Sequence, residues 1–259
     1  MKISILTDNH PGVNTPAEHG LSFLIEYDGT RLLFDTGQSD MFLKNAEAMH
    51  ISLSQIDTIV LSHGHFDHGN GLDFFSGCRM LCHPGCFVKR YRKTDKLYIG
   101  LKSSKIELAG KYELVTSSQS CKISEKIFFL GEIPRLTDFE SQTTSFIFED
   151  GTPDYVPDDS AIAIILPEGL FVITGCGHAG VVNTLEHAKK ITGVDALFGI
   201  MGGFHLKSRG PQTRETIRYM QENKLKHVYP SHCTELPALS WFYENFGNPL
   251  VKTGNIFNF

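Results

Sequence analysis

The chain of 259 residues is 41% apolar and 20% charged, the balance of an ordinary soluble globular protein. Its net charge of −5 provides no basic footprint for nucleic acid, and no apolar run approaches the roughly 18 residues of a membrane span. The N-terminal Met1-Lys-Ile-Ser-Ile-Leu-Thr-Asp8 starts as a strand with no room for a signal peptide. Six cysteines in such a chain are therefore expected to be reduced thiols in the cytoplasm.

In chain order, residues 2–6, 21–26 and 31–34 read as the first strands, with Asp28-Gly29 as a tight turn. Residues 41–48 carry a helical pattern with Phe42, Leu43 and Ala46 on its apolar side. The run Asp57-Thr-Ile-Val-Leu-Ser62 is apolar and β-branched, a short buried strand. It leads directly into Leu61-Ser-His-Gly-His-Phe-Asp-His-Gly-Asn-Gly71. Cys78, Cys82 and Cys86 follow at a C-x3-C-x3-C spacing that matches neither a zinc knuckle nor a ferredoxin run, so they are expected to be buried structural thiols. Residues 89–120 are the least regular and most charged stretch, a solvated face with a lid over the active site as second reading. Residues 161–166 and 170–174 form a hairpin across Pro167-Glu-Gly169. A helix over 181–192, a strand over 196–201, a helix over 212–223 and a strand over 226–229 complete the pattern. With no linker and no repeat, a single domain over 1–259 is expected.

His63, His65, Asp67 and His68 fall within six residues. If the chain stays extended past Ser62, His63 and His65 share a face and can clamp one ion. Asp67 and His68 then lie where the chain turns into a helix, facing a second ion. Nitrogen and oxygen donors without thiolate suit Zn, Mn, Ni or Fe. Two close divalent ions would lower the pKa of a water between them and stabilise charge on an attacked oxygen.

The H-x-H-x-D-H run after an apolar strand resembles the signature of the metallo-β-lactamase superfamily. Glu26 to Gly37 resembles its early hairpin and aspartate-bearing turn, Phe171 to His178 its later strand-then-ligand segment, and His227 to Cys233 its last strand and histidine. The chain is similar in more detail to one branch, of the ribofuranosylaminobenzene 5′-phosphate synthase or dihydropterin-linked synthase type. The segments that carry this are Thr7-Asp-Asn-His10, Gly20-Leu-Ser-Phe-Leu-Ile-Glu26, Gly131-Glu-Ile-Pro-Arg135, Pro157-Asp-Asp159, Gly175-Cys-Gly-His178, Gly202-Gly-Phe-His-Leu206 and Ser231-His-Cys233. The resemblance implies an α/β (α+β) fold, an αββα sandwich of two mixed β-sheets with flanking helices, its metals on loops leaving the strand ends.

Three histidines follow strands in that way. His232 matches the last ligand of the superfamily. His178 sits two residues beyond the position where relatives place a bridging aspartate, which here is Cys176. Either Cys176 replaces that carboxylate or His178 is the ligand; the branch favours His178, with Asp159 as a further carboxylate. The expected ligand set is His63, His65, Asp67, His68, His178 and His232, holding two divalent ions, Zn first, with Mn, Fe or Ni as alternatives. Asp67 and His205 are the expected catalytic groups. His10, Arg135 and His205 are expected at an anionic small-molecule substrate, and Asp35 is expected behind a ligand histidine. The implied function is a metal-dependent enzyme acting on a small phosphorylated or pterin-like metabolite, a synthase or a hydrolase. A flavodiiron-type redox protein lacks its carboxylate and flavin domain here. A metal or small-molecule sensor on the same fold is the alternative, kept by Cys176.

Overall fold

A computed structural model describes residues 1–259. The first half of the chain forms β1 (Lys2–Thr7), β2 (Ser22–Tyr27), β3 (Thr30–Phe34), α1 (Met41–Ala48), β4 (Thr58–Leu61), α2 (Phe66–Gly69), β5 (Arg79–Cys82), β6 (Arg90–Arg92), α3 (Lys105–Ala109) and β7 (Glu113–Thr116). Then come β8 (Cys121–Lys122), β9 (Ile127–Phe129), β10 (Phe146–Phe148), β11 (Pro153–Asp154), β12 (Ala161–Leu166), β13 (Gly169–Thr174) and α4 (Val181–Thr192). The chain ends with β14 (Leu197–Gly203), α5 (Pro211–Glu222), β15 (His227–Ser231), α6 (Leu236–Phe246) and β16 (Ile256–Asn258). No helix is long and apolar enough to cross a membrane.

The chain divides into two compact units. The first comprises residues 1–118, 145–154 and 251–259; the second comprises 119–144 and 155–250. In the first, a seven-stranded sheet runs β16-β1-β2-β3-β4-β5-β7, beside a three-stranded sheet β11-β10-β6. The β1–β2–β3 meander is antiparallel, closed by Asp28 and Gly29, both at positive φ, as the hairpin turn requires. From β3 onward the pairing to β4, β5 and β7 is parallel. Parallel strands covered on both faces need continuous apolar sequence, and every residue of β4 is buried. Leu24, Leu33, Phe42, Ile59, Met80, Cys82 and Cys86 share one core, so two of the three evenly spaced cysteines are core side chains.

The charged stretch 89–120 is more regular than its sequence suggests. It contains β6, α3 with a complete Ser104–Glu107 capping box, and the sheet strand β7. Its Arg90 is fully buried, with Nε 3.4 Å from a carboxylate oxygen of the equally buried Asp154.

The second unit is a six-stranded sheet, β15-β14-β13-β12-β9-β8. The β12–β13 hairpin is antiparallel, whereas β13, β14 and β15 are parallel neighbours. Strand β14 outlasts the pattern that ends at Met201. Gly202, at φ 127°, continues the ladder where a built Cβ would fall 2.0 Å from the Thr174 carbonyl oxygen. Helices α4, α5 and α6 add Leu185, Met220 and Phe242 to a core with Val172 and Ile200.

Helix α4 starts on Gly180 without a side-chain cap of its own. Glu140 supplies the missing acceptors: its carboxylate takes the backbone N–H groups of Val182 and Asn183, both at 2.9 Å. Burial pushes this carboxyl above its usual range, against those bonds. A Cβ at Gly180 would lie 2.4 Å from the carboxylate, so the cap fits only glycine there. Glu140→Ala leaves two buried donors unmet and is expected to cost about 2 kcal/mol of stability, with Glu140→Gln milder. Urea unfolding measures this, and an unchanged midpoint for Glu140→Ala would remove the cap from the account.

Candidate metal centre

In the first unit the site begins at the parallel pair β3 and β4. The residue after β3 is Asp35, fully buried and at φ 57°. Its carboxylate accepts from Ser62 N and Ser62 Oγ, each at 2.7 Å, and lies 2.7 Å from His68 Nδ1. Ser62 Oγ is also 2.9 Å from His63 Nδ1. The δ nitrogens of His63 and His68 are thus turned toward Asp35 and Ser62, which directs their ε nitrogens toward His65 and Asp67.

His65 remains extended and the chain then turns into α2, where the N–H groups of His68 and Gly69 reach back to the His65 carbonyl. The extended step brings His63 Nε2 to 2.9 Å from His65 Nδ1, the shared face expected of side chains two apart. The His63 ring centroid is 4.5 Å from that of His65 and 4.3 Å from that of His68. Asp67 Oδ2 stands 3.9 Å from His68 Nε2 and 3.1 Å from His19 Nε2. His19, more than half exposed, escaped the sequence reading, because it sits in an irregular loop and meets Asp67 only through folding. Close backbone approaches tighten the loop: a Cβ at Gly64 would meet the Cys86 carbonyl oxygen at 2.0 Å, and one at Gly71 that of Thr36 at 2.1 Å.

The donor set fits a divalent ion. Several imidazole nitrogens and a carboxylate, buried and oriented by hydrogen bonds from behind, are what zinc and its neighbours require.

In the second unit the C-terminal ends of β13, β14 and β15 carry Cys176 and His178, His205, and His232 with Cys233. His178 and His205 rings lie 4.4 Å apart. His205 and His232 both adopt φ 50°, a left-handed backbone that costs energy for any residue with a Cβ. Cys176 Sγ, a His205 ring nitrogen and Cys233 Sγ lie within 4.8 Å of one another. Burial raises the Cys233 thiol, but hydrogen bonds from Cys176 and His205 and the charges of His205 and His232 hold it well below its usual range. Asp159 is buried with Oδ2 accepting from Ala179 N at 2.8 Å. Burial pushes its carboxyl up to about 7, against that bond and the Arg135 charge.

The remaining expected site residues have defined places. His10 follows β1; its carbonyl accepts from Thr253 N, and burial, then the Lys252 charge, lowers its imidazole pKa. Arg135 donates to Ser141 Oγ at 2.9 Å and to the carbonyls of Tyr155 and Val156.

The chain is similar to known proteins over nearly its whole length. The Metallo-beta-lactamase superfamily profile matches residues 15–77, which include the histidine–aspartate run. A 7,8-dihydropterin-6-methyl-4-(β-D-ribofuranosyl)-aminobenzene-5′-phosphate synthase of Methanocaldococcus jannaschii is 31% identical, over 95% of this chain and 92% of its own. An uncharacterized protein of the same archaeon is 33% identical over 92% of each chain. The crystal structure of a metal-dependent hydrolase of the β-lactamase superfamily matches 100% of this chain and 99% of its own with TM-score 0.88 at 28% identity. The chain belongs to the metallo-β-lactamase superfamily, with its mixed α/β fold, and is a metal-dependent enzyme of that superfamily.

Two measurements test the site. Asp35→Asn keeps the shape but weakens the hold on His68 and Ser62, and is expected to lower metal affinity about 10- to 100-fold. Competition with a chromogenic chelator reads this, and wild-type affinity would remove Asp35 from its role. Asp159 stabilises the fold while protonated, because its folded pKa lies above its ordinary 3.8. That contribution is whole below pH 3.8 and is lost as pH rises through about 7. Metal-free protein should therefore lose on the order of 4 kcal/mol across this window, a loss that Asp159→Asn abolishes. Unfolding curves at stepped pH check it, a slope unchanged by the substitution being the contrary result.

Proposed function

We propose that this enzyme acts on a small phosphorylated or pterin-like metabolite at a centre of two divalent ions, zinc first among them. The proposed ligands are His63, His65, Asp67, His68, His178 and His232. The observation that carries the reading is the Asp35–Ser62–His63/His68 network, which holds buried imidazoles by their δ nitrogens and groups their ε nitrogens with His65 and Asp67. Divalent ions bound there supply Lewis acidity, making a bound water more acidic and stabilising charge on a phosphoryl or carbonyl oxygen.

The name of the M. jannaschii relative describes a product that joins a 7,8-dihydropterin-6-methyl group to a ribofuranosylaminobenzene 5′-phosphate. Identity of 31% across almost the whole chain supports a substrate of that class: a reduced pterin, an aromatic amine on a phosphorylated sugar, or both. On this reading His10, Arg135 and His205 bind the substrate. Asp67 holds or releases a proton at Oδ2, beside the accessible His19. His205, held in its strained backbone at the end of β14, faces the substrate as a second proton-handling group.

Protein from metal-supplied cells is expected to carry about two transition-metal ions per chain by elemental analysis. Asp67→Ala is expected to abolish turnover with the fold intact by circular dichroism. Assays of dihydropterin and phosphoribosyl-aminobenzene substrates, and of generic phosphodiesters with added Zn or Mn, read the activity. Metal at background after reconstitution refutes the dinuclear centre. Tight metabolite binding without turnover of any of these substrates would favour the sensor alternative.

A further inference from the structure

The run after β4 holds three imidazoles, and the fold orients them by two kinds of contact. His63 and His68 are set by hydrogen bonds with Ser62 and Asp35. Against His65 stands the ring of Phe146 in β10, its centroid 4.8 Å from that of the imidazole and the two planes 66° apart. Edge-to-face contact at this distance favours one relative orientation of the rings. A second tether runs through the backbone beside His65. Phe66 N donates to the Ile99 carbonyl at 3.0 Å, and Ile99 N donates to the Arg90 carbonyl at 3.0 Å.

Both tethers start from the three-stranded sheet β11-β10-β6. Phe146 lies opposite Asp154 of β11 on one side and Arg92 of β6 on the other, and Phe148 lies opposite Arg90. Cross-strand partners and residues two apart share a face, so Phe146, Asp154 and Arg90 project to the same side. The Arg90–Asp154 ion pair, with both side chains fully buried, therefore crosses β10 on the face that carries Phe146. Arg90 Nη2 also donates to the Gly85 carbonyl at 3.1 Å, which ties the guanidinium to the chain after β5. A buried charge without its partner is strongly unfavourable, so neither group can leave alone.

We propose that Phe146 is a positioning residue for His65, and that the Arg90–Asp154 pair fastens the small sheet in the place where it does this. The histidine is then held from two directions, by the Phe146 ring and by the Arg90–Ile99–Phe66 backbone path. An imidazole oriented in advance has less rotamer freedom to lose when an ion binds. The charged stretch 89–120 thus serves the centre by orienting one of its ligands. The inference rests on His65 being a metal ligand, as in the reading given above.

A ring that only filled space could be exchanged for leucine, apolar and nearly as large, at little cost. Orienting an imidazole by a ring edge needs a ring. The ion pair divides in the same way. A pair that served stability alone could be replaced as a whole by apolar residues without loss, whereas a pair that fastens Phe146 cannot be replaced without a change at His65.

Two probes of the full-length protein test this: Zn²⁺ in competition with a chelator, and Co²⁺, whose visible d–d spectrum reports the arrangement of ligands and not the stability of the fold. Phe146→Leu is expected to weaken zinc about 3- to 10-fold, the worth of one aromatic pair contact, and to shift the cobalt spectrum. Phe146→Tyr keeps the ring and should restore both. Arg90→Met combined with Asp154→Leu removes the buried charges together and should reproduce the Phe146→Leu spectrum with wild-type circular dichroism. Asp154→Asn, expected to act in the same direction, takes its place if the double variant does not fold. Adding Phe146→Leu to the ion-pair variant should weaken zinc no further, because the residues act along one path. His65→Ala separates the two levels. Wild-type zinc affinity and cobalt spectrum in that variant refute His65 as a ligand, and the proposal with it. A loss in His65→Ala beside wild-type values in Phe146→Leu overturns the positioning role alone. An ion-pair variant that folds and keeps the wild-type spectrum overturns the fastening by Arg90 and Asp154.

Discussion

A buried carboxylate, Asp35, holds the histidine–aspartate loop in order. Placing an ion in the interior costs several kcal/mol, and here hydrogen bonds from Ser62 N and Ser62 Oγ and the contact with His68 Nδ1 offset that cost. Its left-handed backbone, which aspartate tolerates better than most residues, turns the chain sharply after β3. The same side chain therefore ends one strand, anchors the end of its parallel neighbour and orients a histidine. Ser62 passes the constraint to His63. The imidazoles are directed by hydrogen bonds that exist before any ion arrives, so little conformational entropy is left to lose on binding.

Close backbone packing supports this arrangement. Gly64 and Gly71 stand where neighbouring carbonyl oxygens leave no room for a Cβ, and they lock the loop against the Cys86 and Thr36 segments. The second unit uses the same device at Gly202 and Gly203, where β13 and β14 converge on the ends that carry Cys176 and His205. Strained histidines at φ 50° sit on the outgoing turns of β14 and β15. In both units, stability invested in sheets and cores sustains local conformations that the chain would not adopt alone.

The donor chemistry differs between the units. The first offers nitrogen and oxygen, suited to a strongly Lewis-acidic ion; the second adds sulfur, a softer donor. Cys176, at the position where the resemblance leads one to expect a carboxylate, is one member of that sulfur set. Its neighbour Cys233 gives the substitution a physical context, since the two thiols are brought together by strand order.

Local spacing determined what depends on side-chain direction within one segment. His63 and His65 two apart on an extended chain, and Asp67 and His68 on the following turn, were legible because backbone period alone aims them. So were α1, α4, the β12–β13 hairpin and the place of Asp35 behind a histidine of the run, which the structure shows as the contact with His68. Tertiary structure decided the contacts made across long separations. His19 reaches Asp67 from an irregular loop, Glu140 caps a helix about forty residues onward, and Cys233 meets Cys176 across 57 positions. It also drew ordered strands from the charged stretch 89–120, where β6 pairs with the distant β10 and β7 with β5. Hydrophobic period says which face of a strand is buried. Which strands become neighbours follows from the competition among all pairings for the same cores, and that competition is settled only in the folded chain.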